Sequence, residues 1–439
     1  MSRIVFHVWP ETGHINPVVT IARDLIAAGH EVAWIGWKRS GEVVRRAGFP
    51  FVPLFERLGL SGVGEPEPIW ERRLVQAYID GTFSAALAEM QPDFVVADSL
   101  LAETLIAAHG AKIPYLSYSI ILPNTADRNV PPLRSRYAPA SSFWSSWIVR
   151  ALWLRWVSHR RWCARADAIR DRCGLPGSRV PESWIDRLAK ANGLATTALN
   201  KTSEFGTAFV ASCLDVVLCP DVFDYPGRSE VGRRYSAAPI DWERAEVEFP
   251  QWHRLRDEDR LILCTFGSQS HRYEGIDRVK DAVAAAVGDQ PGIQCVVQDG
   301  REAFKAKLEA TYSNILVAPY LPQLALLKRS ALVITHGGLG TIKESVEAAV
   351  PLIVFPQGWD QIGNMARVAY HGIGIAGKRT TKRAVRRYIH DALNNKAYSE
   401  KIRTMRDKFM DQGRYPKAAE IIMAELGGAR LRGSVAARP

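Results

Sequence analysis

The sequence has no C-x-x-C pair and no cysteine–histidine cluster at zinc spacing; its six cysteines, Cys163, Cys173, Cys213, Cys219, Cys264 and Cys295, stand apart. That excludes a zinc ribbon or a disulfide scaffold, and reduced, mostly buried thiols are expected. It also lacks an apolar run of the ~20 residues that a membrane span needs. The nearest approach, Phe143–Val157, is interrupted by Arg150 and Arg155. At the amino terminus Met1-Ser2-Arg3 leads directly into the short apolar segment Ile4–Trp9 and breaks at Pro10, leaving no room for a signal-peptide core, so a cytoplasmic location is expected. Acidic residues are outnumbered, 46 against 57 Lys and Arg, for a formal net charge of +11. The surplus suits an anionic partner, whether a phosphate-bearing ligand, nucleic acid or an acidic membrane, without choosing among them.

What is present is an ordinary globular composition, 47% apolar and 23% charged over 439 residues. That length corresponds to roughly two to three domain units. In the first half, strand-length apolar runs at Ile4–Trp9, Glu31–Gly36, Phe94–Ala97 and Tyr115–Ser119 alternate with helical patterns, the mark of a parallel sheet covered on both faces. The first helix is expected from about Pro17 to Ala28, with Asn16 as N-cap and Gly29 after its end. The second half repeats the architecture with strands at Leu261–Phe266, Ile293–Val297, Ile315–Ala318, Leu332–Thr335 and Leu352–Phe355. Between the halves, a Pro- and Gly-rich stretch without periodicity reads as a linker. The expected organisation is an α/β protein of two doubly wound domains: 1–225, a linker at 226–245, 246–405, then a C-terminal helix at 406–427 that returns to the first domain and a tail at 428–439.

Two strand-end loops carry chemistry. The strand ending at Thr335 runs into His336-Gly337-Gly338-Leu339-Gly340-Thr341 and a helix bearing Glu344. Glycines there allow close backbone approach, and a helix start offers free N–H groups to phosphate. Glu344 can accept from a ribose diol. Spacing alone serves equally a tight turn whose histidine caps the helix. The loop is neither the dinucleotide fingerprint nor a Walker loop. After the next strand come Pro356, Gln357, Gly358, Trp359, Asp360, Gln361 and, further on, Asn364; Asp360 and Gln361 can together accept from and donate to vicinal hydroxyls such as those of a hexose.

With Tyr320-Leu321-Pro322-Gln323 added, the ordered set His336-Gly337-Gly338, Thr341, Glu344, Pro351, Pro356, Asp360-Gln361 and Asn364 resembles the donor-binding signature of family 1 glycosyltransferases, UDP-glycosyltransferase-like enzymes of the GT-B fold that include bacterial macrolide and carotenoid glycosyltransferases. The resemblance implies two Rossmann-like domains facing across a cleft. It implies Tyr320 stacked on the donor pyrimidine, Gln323 on the nucleoside, His336, Gly338 and Thr341 at the diphosphate, Glu344 at the ribose, and Asp360 with Gln361 at the sugar. Gly340 stands where plant members carry Asn, so one phosphate contact is missing. Ser268, in Phe266-Gly267-Ser268, matches a further phosphate-side position or is a simple turn serine.

The loop Thr12-Gly13-His14-Ile15-Asn16-Pro17 resembles the family's base-bearing loop, and Asp98, at the end of Phe94–Asp98, matches its carboxylate partner. Histidine suits a base because its ordinary pKa of ~6.5 leaves it mostly neutral at pH 7. The implied reaction is inverting transfer of a hexose, glucose from UDP-glucose as the first choice over a dTDP-sugar, to a hydroxyl of a lipophilic acceptor of the polyketide, terpenoid, carotenoid or sterol class. The sugar nucleotide is a co-substrate, and neither a cofactor nor a metal is implied. Asp257-Glu258-Asp259, a metal motif in the other large glycosyltransferase fold, lies among arginines before a strand and reads as a solvated turn.

Five of the thirteen tryptophans lie in Phe143–Trp162, interleaved with arginines. Their positions wrap round a helix, which favours burial or the wall of an acceptor pocket over a surface anchor, with peripheral membrane contact the second choice. Two rival functions remain at this level. A sugar-nucleotide 2-epimerase shares the fold but does not need His14 and Asp98; a nucleic-acid-binding protein fits the charge but lacks the motifs.

Overall fold

The computed structural model describes residues 1–61, 67–140, 142–172, 183–205, 209–267, 273, 275–288 and 290–436. Fifteen strands are assigned among them. The N-terminal half contributes β1 (Arg3–His7), β2 (Glu31–Ile35), β3 (Phe51–Val52), β4 (Phe94–Asp98), β5 (Tyr115–Ser119), β6 (Leu199–Asn200), β7 (Phe209–Val210), β8 (Asp215–Val217) and β9 (Arg233–Tyr235). The C-terminal half contributes β10 (Arg260–Thr265), β11 (Ile293–Gln298), β12 (Ile315–Ala318), β13 (Ser330–Thr335), β14 (Leu352–Val354) and β15 (Gly374–Ala376).

Seven strands form one parallel sheet in the order β3-β2-β1-β4-β5-β8-β9, and six form a second in the order β12-β11-β10-β13-β14-β15. Each chain path runs outward from a central strand and then returns to that strand's other side, so each sheet has one place where the order reverses: between β1 and β4, and between β10 and β13. The carboxyl ends of strands at such a reversal are where open α/β sheets hold ligands. The central strands are Val/Ile-rich because both faces are covered: Val5, Val95 and Val96 in one sheet, and Leu263, Val297 and Ile334 in the other, are fully buried. A two-stranded antiparallel pair, β6 with β7, sits apart from both sheets.

The two domains share one apolar cluster. Leu122, Leu133, Val217 and Phe223 of the first pack with Leu339, Ile342 and Val346 of the helix Leu339–Glu347 and with Met365 and Val368 of the helix Gln361–His371. The spacing 339, 342, 346 puts that stripe on one helix face. Two buried polar links cross beside it: Lys343 Nζ donates to the Leu218 carbonyl at 2.6 Å, and the buried Arg367 pairs with Asp224 at 2.7 Å. Gly363 faces the Leu133 carbonyl so closely that a Cβ there would overlap it.

Glu204 ties the loop at the junction: its carboxylate accepts from the Leu133 N–H and, at 3.0 Å, from the Arg134 N–H. Burial pushes this carboxyl up to about 7 despite those bonds. A raised acid binds its proton in the folded chain at a pH where the unfolded chain has released it, so its contribution is present below pH ~4.5 and lost as pH rises through ~7. Glu204→Gln should therefore remove a component of the fall in stability between those limits, measured as denaturation midpoints at pH 5 and about 7.5; identical pH dependence in both proteins would exclude it.

Several expectations move. The first helix spans Thr12–Ala27, starting before Asn16, because the N–H groups of His14 and Ile15 already bond the Glu11 carbonyl at 2.9 and 3.1 Å; Pro17 lies inside it. The first domain runs past 225, since β9 pairs with β8, and the chain enters the linker only after Tyr235. The single helix expected at the C-terminus is two, Lys396–Phe409 and Ala418–Ala436, broken where Gly413 and Pro416 interrupt the pattern. Ala418, Ile421 and Ile422 of the second lie in the core of the first domain, and the helix continues through most of the segment expected as a tail.

Candidate active site

The reversal between β1 and β4 holds the first pair. His14 sits in the first turn of the helix following β1, and Asp98 ends β4; His14 Nδ1 and Asp98 Oδ2 are 2.5 Å apart. Asp98 is buried and its second oxygen accepts the Leu100 N–H at 3.0 Å, while His14 keeps a small exposed edge. An ionised carboxylate can only accept, so Nδ1 carries the proton and Nε2 is left with its lone pair. Through that Leu100 bond Asp98 also holds the loop after its strand. His7, the other histidine of this edge, is wholly buried against Trp37, Phe55 and Phe83, bonds Thr104 at 2.7 Å, and is pushed down to about 3 by burial.

The reversal between β10 and β13 holds the second group. His336 follows β13, and burial pushes it down to about 4, so near neutral pH it offers a neutral N–H, not a cation. Gly337, with φ of 90°, approaches Val354 so closely that a Cβ would lie 2.5 Å from its Cγ1, and Gly338 forms the N-cap of Leu339–Glu347. A side chain at either position would push into the turn that opens the helix N-terminus. Ser268 falls outside the described residues.

Thr341 and Glu344 follow on that helix, both buried. Gln323, from the helix Gln323–Leu327, donates through Nε2 to Glu344 Oε2 and lies 3.4 Å from Thr341 Oγ1; its carbonyl accepts from Thr265 at 3.2 Å. Arg244, from the linker, pairs with Glu344 at 3.2 Å. Burial raises the Glu344 carboxyl and the Arg244 charge opposes that rise. Tyr320 is 71% exposed at the rim, its ring open to a stacking partner.

Asp360 and Gln361 lie where β14 gives way to the helix Gln361–His371. Asn364 Nδ2 donates to Asp360 Oδ2 at 2.8 Å and to the Gly337 carbonyl at 2.9 Å, fastening the two loops together. Burial pushes Asp360 up to about 6, opposed by the Asn364 bond and, when His14 is an imidazolium, by its charge across the cleft. The two domains thus bring His14 and Asp360 within electrostatic reach of each other. Gln361 differs from expectation: its carbonyl accepts the N–H groups of Gln357 and Gly358 at 2.9 and 3.2 Å, leaving only its amide NH2, 3.5 Å from the Tyr273 hydroxyl, on offer.

Sequence reasoning missed Arg244, and also Arg134, whose guanidinium lies over both Trp156 and Trp359 at 5.5 and 5.6 Å. Trp359 has φ of 51° and packs on Phe205. That left-handed conformation is costly for a bulky residue and aims the loop that carries Asp360. Neither arginine has a local signature, because both partners lie far along the chain. Asp259, its side chain only 7% exposed, bonds Arg256 at 2.6 Å, and the exposed Asp257 pairs with Arg329.

Residues 294–425 match the family described as erythromycin biosynthesis protein CIII-like, C-terminal domain. The chain is 23% identical over 430 residues to the oleandomycin glycosyltransferase of Streptomyces antibioticus, covering 94% of this chain and 88% of that one. It is 22% identical over 452 residues to the zeaxanthin glucosyltransferase of Pantoea ananas, covering 94% and 93%. Among solved structures, the glycosyltransferase VinC in complex with dTDP superposes with a TM-score of 0.63 at 18% identity, covering 98% of this chain and 99% of that one. The chain thus has the GT-B fold, its residues 294–425 match an erythromycin-CIII-like C-terminal domain, and the relatives that align over its length are glycosyltransferases.

Proposed function

We propose that the protein moves glucose from UDP-glucose to a hydroxyl of a lipophilic natural-product acceptor, with inversion at the anomeric carbon. The observation that carries the reading is the His14–Asp98 pair at 2.5 Å, set at one sheet reversal and facing Asp360 beside the other. His14 Nε2 takes the acceptor proton as the acceptor oxygen bonds the anomeric carbon; the carbon–phosphate oxygen bond breaks, and the nucleoside diphosphate leaves with the electron pair. Asp98 stabilises the imidazolium that forms and holds its tautomer. The leaving charge meets the N-terminus of Leu339–Glu347, the neutral N–H of His336 and the Thr341 hydroxyl, a fixed set of dipoles.

The relative named for zeaxanthin supports glucose and an acceptor of carotenoid character, while the dTDP bound to VinC makes a thymidine donor the competitor. Calorimetry with UDP-glucose and dTDP-glucose, followed by transfer to a panel of hydroxylated polyketides, carotenoids and sterols, tests both halves. Preference for dTDP-glucose would overturn the uridine assignment, and epimerised nucleotide formed without acceptor would overturn transfer. In this reading Glu344 accepts from the ribose once Arg244 shares it. Glu344→Ala should weaken UDP binding by about tenfold to a hundredfold, the range for a hydrogen bond to a charged group. Unaltered affinity by calorimetry would remove Glu344 from the ribose site.

A further inference from the structure

The helix Phe143–Arg172 has the buried surroundings expected of its tryptophans on one side only, since Trp153 is buried while Trp144, Trp147 and Trp162 are exposed. It runs 30 residues, about 45 Å at 1.5 Å per residue. One side packs on the domain: Ser145, Val149 and Trp153, spaced four apart, are buried, Trp153 Nε1 donates to the Val130 carbonyl at 2.8 Å, and Arg160 donates to the Ser203 carbonyl at 2.5 Å. The opposite side carries Trp144, Trp147, Ala151, Leu154, Ser158 and Trp162, a stripe with spacings of three and four, and Ile169 two turns further on. Trp144, Trp162 and Ile169 are 71%, 66% and 61% exposed. Arg150, Arg155, Arg161 and Arg165 are exposed beside them.

We propose that this face lies on an anionic lipid bilayer, with the helix in the plane of the headgroups. Tryptophan rings and arginine stems bury their apolar parts at the acyl boundary and leave their polar ends at the headgroups. The arginines choose the occupant: a second copy seated on the same stripe sets four cations against four cations, whereas an acidic lipid surface neutralises them. The same arginines keep the helix from crossing, and among the described residues no helix is long and apolar enough to span a membrane. Through Trp156 and Arg134 the docked helix leans on Trp359, next to Asp360. An acceptor dissolved in the bilayer then enters the cleft from that side. The delivery rests on the transfer reading above; the docking does not.

Sedimentation of the full chain with phosphatidylcholine–phosphatidylglycerol vesicles and with pure phosphatidylcholine vesicles, at about 0.1 M salt, separates the two claims because no turnover is involved. The wild type is expected to bind the anionic vesicles and to bind the neutral ones far more weakly. Arg150→Glu/Arg155→Glu/Arg161→Glu should weaken anionic binding by about a hundredfold or more, since each basic side chain near the surface adds roughly a factor of five to ten. Leu154→Ser/Trp162→Ser/Ile169→Ser, also on exposed positions, should weaken it with the charges intact. Failure of the wild type to bind anionic vesicles, equal binding to both lipids, or binding by both variants at the wild-type level would overturn the proposal. So would a wild-type dimer in ultracentrifugation that the serine variant returns to monomer, because it would assign the stripe to a second copy.

Discussion

Replacing His14 with alanine is expected to lower the turnover of glycosyl transfer by about a thousandfold, inside the ~10²–10⁴ that a positioned general base contributes, while leaving UDP affinity close to the wild-type value. The split follows from the fold: His14 belongs to the helix after β1, whereas Gln323, His336, Thr341 and Glu344, proposed to hold the nucleotide, lie in the other domain, on the loop after β13 and on the helices Gln323–Leu327 and Leu339–Glu347. Asp98→Asn should cost a similar factor, because the amide keeps the geometry and loses the charge that stabilises the imidazolium. The double variant should be little worse than either single one, since residues acting as a unit are not additive. Single-turnover kinetics with saturating donor measures this directly. Turnover unchanged in the alanine variant would remove His14 from the reaction, and a loss confined to KM would make it a binding residue only.

The second large effect concerns the junction. Asp224 is buried and its two oxygens are taken by Arg228 and Arg367, of which Arg367 is fully buried and lies 4.4 Å from the Tyr225 ring centre. Burial opposes ionisation of Asp224, but the two guanidinium charges outweigh it and hold the carboxyl below its usual range. Asp224→Ala leaves both cations buried without their partner, which costs about 3–5 kcal/mol. The expected result is a clearly lower urea midpoint for the interdomain transition. The pH dependence has a definite sign: a depressed acid contributes stability above its unfolded pKa of about 3.9 and loses it as pH falls through the folded value, so the wild type should weaken on acidification and the variant should lack that component. Equal midpoints and equal acid profiles would show that the pair contributes nothing net.

The strands and strand-end residues were legible because the physics that makes them is local. A strand covered on both faces must be a short continuous apolar run, and a residue just past its carboxyl end faces the sheet's ligand edge, so His14, Asp98, His336 and Asp360 could be placed at that edge, while their roles came only from the resemblance to family 1 glycosyltransferases. The start of the first helix was obscured because Asn16-Pro17 imitates a cap, while the bonds from His14 and Ile15 to Glu11 that open it have no sequence mark. Arg244, Arg134 and the Asp224–Arg367 pair were invisible for a different reason: each acts on a partner brought in by the meeting of two domains, and no periodicity encodes that. The long helix misled in the opposite sense. Its apolar residues do wrap round it, but Val149 and Trp153 are buried against the domain while Trp144, Trp147 and Trp162 on the opposite side are exposed.

The central claim is direct displacement at the anomeric carbon by an acceptor whose proton passes to His14. The anomeric configuration of the product, read from the proton NMR coupling after reaction of α-linked UDP-glucose with a hydroxylated lipophile, tests it most directly: the account predicts the β-glucoside, and an α-glucoside would contradict it.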